Sequence, residues 1–180
     1  MTFYQELQLN QAGSKAVIRN CTDKKEKLRH IAIYLFKIFI TMVFCMAVVI
    51  GFSKIFGNDN SIVGVVVLLC VMAFRFADFG IRTPHAMGAL VIMFAILTFG
   101  PRLANAGGLA QEFLVNTVCI LILMVLGCHN VVMFNHSTLL LSYLLLYGYD
   151  VTGELYIQRL IAMGIGAAAT LIVYYRNHHK

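Results

Sequence analysis

The chain has 180 residues, of which 60% are hydrophobic and only 12% are charged, and its mean hydropathy is +0.81. A soluble domain usually carries about a quarter charged residues, so this composition indicates an integral membrane protein with almost no room for a soluble domain. The net charge of +6 comes from basic residues at the two ends, next to apolar segments, which indicates contact with the lipid bilayer and not with nucleic acid.

Residues 1–30 are mixed and basic, and they lack the apolar core and small-residue cleavage site of a secretory signal peptide. Apolar residues such as Phe3, Leu7, Val17 and Ile18 alternate with polar ones, which predicts one or two short amphipathic helices on the cytoplasmic face. A partly disordered tail is the alternative. We expect a cytoplasmic N-terminal arm over 1–30, a transmembrane domain over 31–175, and a short basic cytoplasmic tail over 176–180.

Six apolar segments follow, at about 31–55, 61–79, 85–103, 109–128, 131–149 and 157–175. A straight membrane crossing needs about 20 residues, so several of these segments must recruit flanking residues. They predict an all-α, polytopic fold with six transmembrane helices. Gly100 and Pro101 are expected to end the third helix.

The basic residues before the first span and after the last place both termini in the cytoplasm, which requires an even number of spans. Arg75 and Arg82, after the second span, then lie on the inner side. Lys54, Arg102 and Arg159 are exceptions on the outer side, but they do not form a cluster.

Two groups of three spans each end in a helix that follows an arginine and is rich in small residues. Arg82 precedes Gly88 in the first group, and Arg159 precedes Gly164 and Gly166 in the second. This predicts two inverted three-helix halves, an arrangement common in transporters. Small residues let helices approach closely in lipid, so we expect the glycines to lie in helix packing contacts, with a substrate path as the alternative.

Ionisable residues near membrane depth are candidates for a substrate or ion path. Arg75 and Asp78 are three residues apart and can pair on one helix face, either as a structural pair or as part of a path with Arg82. Glu112 and Asn116 share a face of the fourth span. Glu112 could carry protons, but we favour a structural pair with Arg102 across the short connection.

His136, in the fifth span, could relay protons because histidine titrates near neutral pH; a histidine bonded to a backbone carbonyl is the commoner case. We interpret Tyr143 and Tyr147, four residues apart, as part of an outer aromatic belt. The sequence shows no nucleophile elbow, phosphate loop or metal-ligand spacing, and its five cysteines suggest no disulfide framework. We therefore predict that the protein is not an enzyme and has no metal site and no cofactor.

Three motifs support a family resemblance: the run 60–69, the Arg/Asp turn before the helix start 86–90, and the closing run 158–168. Together they resemble the membrane domain of the fusaric acid resistance (FUSC) and aromatic acid exporter group, over most of 31–175. The resemblance implies a dimeric bacterial inner-membrane protein with six helices. By this resemblance, Arg159, Gly164 and Gly166 match positions of the family's motif. Arg82 and Gly88 match it less closely. Many members add a cytoplasmic domain or a second membrane block, which is not found in these 180 residues.

The predicted function is export of small organic, chiefly aromatic, acids by a homo-oligomer. Arg75 and Arg82 would attract the organic anion at the inner rim, and Glu112 or His136 would couple export to protons. The alternative is a non-transporting membrane scaffold, or a subunit that needs a partner.

Overall fold

The computed structural model describes residues 3–9, 11–21, 23–76, 79–127 and 136–178, and these residues contain helices and no strand. The all-α prediction is therefore confirmed for the described chain. A 3-10 turn over Asn58–Asn60 precedes the fourth α-helix. The α-helices are α1 (Phe3–Gln8), α2 (Gln11–Asn20), α3 (Lys24–Phe56), α4 (Ser61–Phe76), α5 (Thr83–Asn105), α6 (Leu109–Gly127), α7 (His136–Gly148) and α8 (Glu154–His178).

Five helical segments of the described chain are long and apolar enough to cross a membrane, which fits a membrane-embedded protein. They are Lys24–Phe56, Asn58–Arg75, Thr83–Asn105, Leu109–Gly127 and Glu154–His178. The helix α7 is also apolar but has only 13 residues. The start of the predicted fifth span, at 131–135, lies outside the described residues.

Two helix boundaries differ from the prediction for identifiable reasons. The helix α3 begins at Lys24 and not near residue 31, because Lys, Glu, Leu and Arg are good helix formers and continue the helix beyond the apolar segment. The helix α5 continues through Pro101 to Asn105, so the prediction that Gly100 and Pro101 end it is wrong. A proline inside a helix removes one backbone donor but need not end the helix when tertiary contacts hold it.

The chain divides into two compact units, residues 1–47 and 48–180, with the division inside α3. In the first unit, α1 and Leu9 after it contact the first part of α3. The buried carboxylate of Glu6 lies 2.8 Å from His30 Nδ1, and Lys37 Nζ donates to the carbonyl oxygen of Leu9. The predicted N-terminal helices are therefore present, and polar contacts attach α1 and Leu9 to α3.

The second unit has a hydrophobic core formed by α4, α5, α7 and α8, with α6 packed against α5 and α7. Large side chains that are almost completely buried fill this core: Val66, Phe74, Leu90, Met93, Leu97, Leu123, Leu139, Leu146, Met163 and Tyr174. Because helices that follow each other run in opposite directions, the starts of α4, α6 and α8 meet the ends of α5 and α7. This end of the second unit carries the residues of the candidate site.

The glycines of α8 differ in their surroundings. A Cβ atom at Gly166 would collide with both methyl groups of Val67 on α4, whereas a Cβ at Gly164 or at Gly88 on α5 would meet nothing within 4 Å. Gly166 therefore allows α4 and α8 to approach closely. Gly164 and Gly88 have no such neighbour within the described chain.

Gly166→Ala should lower the free energy of unfolding by about 1–3 kcal/mol, because the added methyl group overpacks the contact with Val67. Gly164→Ala is the matched control on the same helix, and it should be neutral or stabilising by up to about 1 kcal/mol through helix propensity. Thermal unfolding of both variants in detergent micelles measures the difference. Equal midpoints for the two variants would contradict the close α4–α8 contact.

Candidate functional site

Among the described residues of the second unit, the most buried ionic group is the guanidinium of Arg159 on α8, whose side chain is 3% exposed. Its Nε donates to Asn60 Oδ1 at 3.2 Å. Its Nη2 is buried and has no hydrogen-bond partner among the described residues. Among those residues, no carboxylate forms an ion pair with Arg159.

Asn60 is completely buried at the start of α4 and joins three parts of the chain. Its Nδ2 donates to the carbonyl oxygens of Phe56 and Leu155, both at 3.1 Å, and its Oδ1 accepts from Arg159. The end of α3, the start of α4 and the first turn of α8 therefore meet at one carboxamide. A buried amide with its hydrogen bonds made is stabilising, whereas an unpaired one is costly.

A second arginine lies at the same end of the unit. Arg102 Nη1 donates to Asp150 Oδ2 at 3.1 Å, and its guanidinium carbon is 5.8 Å from the ring centroid of Tyr156. Tyr156 Oη donates to the carbonyl oxygen of Thr98 at 3.4 Å.

The preferred pairing of Glu112 with Arg102 is wrong. Arg102 pairs with Asp150, which follows α7 and lies beside the end of α5, and Glu112 Oε1 accepts from the hydroxyl group of Tyr147 on α7. The rotation of α6 about its own axis determines the partner of Glu112, because Glu112 lies on the face of α6 that contacts α7. The distance along the chain between Glu112 and Arg102 gave no information about that rotation.

The interpretation of Tyr143 as a member of an aromatic belt is also wrong. Tyr143 is 1% exposed, and its hydroxyl group donates to Asn116 Oδ1 at 2.7 Å. A Cβ at Gly100 would lie 2.9 Å from Tyr143 Cε2 and 3.0 Å from Cys119 Sγ, so the missing side chain of Gly100 admits both groups. Glu112, Asn116 and the two tyrosines thus form a polar contact between α6 and α7.

An open groove of about 600 Å³ lies at this end of the unit, beside the Asn60–Arg159 pair. One wall carries Asn58, Asp59, Ser61 and Ile62, and the other is formed by residues 149–152 and Leu155. Asn60 hydrogen-bonds both Leu155, which lines the groove, and Arg159. Asn60 and Arg159 are themselves buried and are not among the residues that line the groove. No set of three or more His, Cys, Asp and Glu side chains in the described ranges is placed to hold a metal ion.

Other predicted residues lie elsewhere. Arg75 and Arg82 are exposed at the opposite end of the unit, where the Arg75 carbonyl accepts from Asn177 Nδ2 at 3.3 Å and Arg82 precedes α5 as its N-cap. Asp78 and the side chain of His136 lie outside the described residues, although α7 begins at His136. The structure therefore does not bring Arg75 and Arg82 together with Glu112, Asn116 or Arg159.

The sequence reasoning missed Asn60 and Asp150 as members of the site. Asn60 stands directly before an apolar helix, where an asparagine is typical of a helix start. This position gives no signal for a contact with Arg159. Asp150 gave a usable signal, since it is a carboxylate on the same predicted membrane side as the unexplained Arg102 and Arg159.

Tyr143→Phe should lower the free energy of unfolding by about 0.5–2 kcal/mol, because Asn116 then loses its buried donor. Tyr149→Phe is the control, since Tyr149 is largely exposed, and it should leave stability unchanged. Thermal unfolding in detergent compares the two. A loss of stability that is the same in both variants would contradict the Tyr143–Asn116 bond.

Comparisons with known proteins do not add to this geometry. No family model matches the chain, and no curated protein or solved structure matches it. The chemistry of the site therefore follows from the residues themselves.

Proposed function

We propose that the chain is a membrane transporter that exports small organic, chiefly aromatic, acids. The observation that carries this proposal is Arg159, a buried guanidinium whose Nη2 has no hydrogen-bond partner among the described residues. Ionisable groups inside a membrane protein are rare and mark substrate or ion paths. A carboxylate is the natural counter-charge for such a group.

The energetic argument concerns the missing direct ion pair, since Asp150 interacts electrostatically with Arg159 but is hydrogen-bonded to Arg102. A buried charge without a partner destabilises a protein by about 3–5 kcal/mol, and apolar residues of similar volume are often more stable in the same place. Arg159 has one neutral partner, the amide of Asn60, and that bond engages only Nε. The remaining N–H groups are suited to a ligand carboxylate, which guanidinium binds in a two-pronged geometry.

The groove supplies the space that a substrate needs. Its volume of about 600 Å³ is in the range of small-molecule sites, about 300–1,000 Å³. Its apolar residues include Ile62 and Leu155, which suit an aromatic ring. The ligand carboxylate would have to displace part of the Asn60 contact to reach Arg159.

The proposed topology has six crossings, with both termini in the cytoplasm of a bacterial cell. The groove then opens on the outer face of the inner membrane, and Arg75 and Arg82 lie at the inner face, where they attract organic anions. In this arrangement Glu112, bonded to Tyr147, is the proposed proton-coupling carboxylate, with His136 as the alternative.

A second candidate function, a subunit that acts only with a partner or a second copy, is supported by α6. Only 6% of its most apolar stretch is buried, and it exposes Phe113, Leu114, Leu121 and Val125. Lipid can cover such a face, and so can a helix of another subunit. This candidate predicts that the chain alone moves no substrate.

The transport test measures accumulation of labelled aromatic carboxylates in a pump-deficient bacterial host. The wild-type chain should lower accumulation, and Arg159→Gln should abolish this effect at equal membrane levels. Arg176→Gln, an exposed arginine near the end of the same helix, is the control and should export normally. If the wild-type chain leaves accumulation unchanged, the partner-dependent function is favoured; if Arg159→Gln still exports, Arg159 is not the anion site.

Stability separates a functional from a structural role for Arg159. Arg159→Met removes the unpaired charge but leaves Asn60 Oδ1 without its donor, so the two effects should offset each other to within about 1 kcal/mol. Thermal unfolding in detergent should therefore show little change while export is lost. A loss of several kcal/mol would show that Arg159 holds the fold together.

A further inference from the structure

We infer that an open groove along α6 binds phosphatidylethanolamine, and that Glu112 accepts a hydrogen bond from the ammonium group of this lipid. The groove has a volume of about 680 Å³ and shares no lining residue with the groove near Asn60. The inference goes beyond the proposed function and holds whether or not the chain transports. In a transporting chain, the lipid ammonium and a coupling proton would compete for the carboxylate of Glu112.

Glu112 is a partly exposed carboxylate of this groove that has no cationic partner within the described chain. Its Oε1 accepts from the hydroxyl group of Tyr147, and Arg102, the nearest cation along the chain, pairs with Asp150. A carboxylate at an apolar surface is costly unless it is paired. Its second oxygen can accept a charge-assisted hydrogen bond from an ammonium, so a cationic head is the complementary ligand group.

The polarity of α6 changes along the helix in the way that a phospholipid changes along its length. The polar residues that line the groove, Glu112, Asn116 and Thr117, all lie in the first half of the helix. Residues 118–127 contain no charged, amide or hydroxyl side chain, and several of them are exposed. A lipid head bound at the groove can therefore continue as an acyl chain along the apolar surface of the same helix.

The depth of Glu112 suits a lipid headgroup. The helix α6 has 19 residues and is therefore about 28 Å long, close to the hydrocarbon thickness of about 30 Å. Its first residues then lie at the interface, and Glu112 is only three residues after Leu109, about 5 Å along the axis. Side chains tilt towards the start of their helix, so the carboxylate extends back towards the headgroups.

Asn116 supplies a second polar contact, one turn below Glu112. Its Oδ1 accepts from the hydroxyl group of Tyr143, and its side chain also interacts with the hydroxyl group of Tyr147. An amide nitrogen has two N–H groups, and the Tyr147 oxygen can engage only one of them. The other can donate to an ester carbonyl, which a phospholipid carries directly below its headgroup.

A second copy of the chain is a poorer occupant of the groove. Two α6 helices packed side by side about a two-fold axis along the membrane normal would place two Glu112 carboxylates at the same depth. The residues that line the groove include no cation to separate them, and like charges in a medium of low dielectric repel strongly. A lipid brings the opposite charge.

The test compares phosphatidylethanolamine with phosphatidylcholine of identical acyl chains, in which three methyl groups replace the N–H donors. The full-length protein is titrated with each lipid in detergent, and native mass spectrometry gives the apparent Kd and the oligomeric state. Both lipids are net neutral, so the basic N-terminal arm gives neither an electrostatic advantage. Phosphatidylethanolamine should bind at least about fivefold more tightly, because only it can donate to Glu112.

Three variants assign the contact. Glu112→Gln keeps an oxygen that can accept from Tyr147 but removes the charge, so the two lipids should then bind equally. Tyr147→Phe removes the contact with α7 but keeps the carboxylate, so the preference should remain. Glu154→Gln is the control, because Glu154 is an exposed carboxylate at the start of α8 that does not line the groove, and it should bind as the wild type does.

Three outcomes overturn the inference. Equal affinity of the wild-type chain for the two lipids would show that no ammonium donor is recognised. A preference that survives in Glu112→Gln would place the ammonium at another site. If the wild-type chain is a dimer that binds neither lipid, and Glu112→Gln strengthens that dimer, the α6 surface is an interface between two copies. None of these results decides the transport proposal, which the accumulation assay tests by itself.

Discussion

The carboxamide of Asn60 is the contact on which the described membrane bundle depends most. It is fully buried, and it satisfies the carbonyl oxygens of Phe56 and Leu155 while its own oxygen receives Arg159. In lipid, backbone groups at helix ends have few alternatives to protein partners. One neutral side chain therefore joins the connection between α3 and α4 to the first turn of α8. It does so without adding a second charge to the interior.

Around this contact lie most of the hydrogen bonds between side chains far apart along the chain that the structure shows in the second unit. Arg102 and Asp150 pair there, Tyr156 lies beside Arg102, and the tyrosines of α7 donate to Glu112 and Asn116. Further from this end of the second unit the interior is filled mainly by aliphatic and aromatic side chains, and the buried hydroxyl groups of Ser142 and Thr170 donate to backbone carbonyls of their own helices. This distribution lowers the cost of burying polar groups. A charged or hydrogen-bonding group near a helix end can bond to water or a ligand, whereas the same group in the middle of the bundle needs a permanent protein partner.

The sequence predicted the helical class and most helix positions well, since hydropathy and charge are properties of each segment by itself. It failed where the answer depends on how one helix is rotated against another. Glu112 and Arg102 are close along the chain, but α6 turns Glu112 towards Tyr147, and Asp150 reaches Arg102 from the α7–α8 connection. Tyr143 looked like a surface aromatic because nothing in its own segment reveals that Gly100 on α5 opens a space for it.

The N-terminal arm contacts a charged side chain that lies inside the first apolar helix, α3. Lys37 lies 13 residues after the start of a 33-residue helix, and its ammonium donates to the carbonyl of Leu9 instead of extending into water. A chain without its first ten residues would lose this acceptor together with Glu6, and Lys37 would have to reach for phosphate headgroups. The arm therefore supplies, within the protein, the acceptor for a lysine ammonium that lies well inside the first apolar helix.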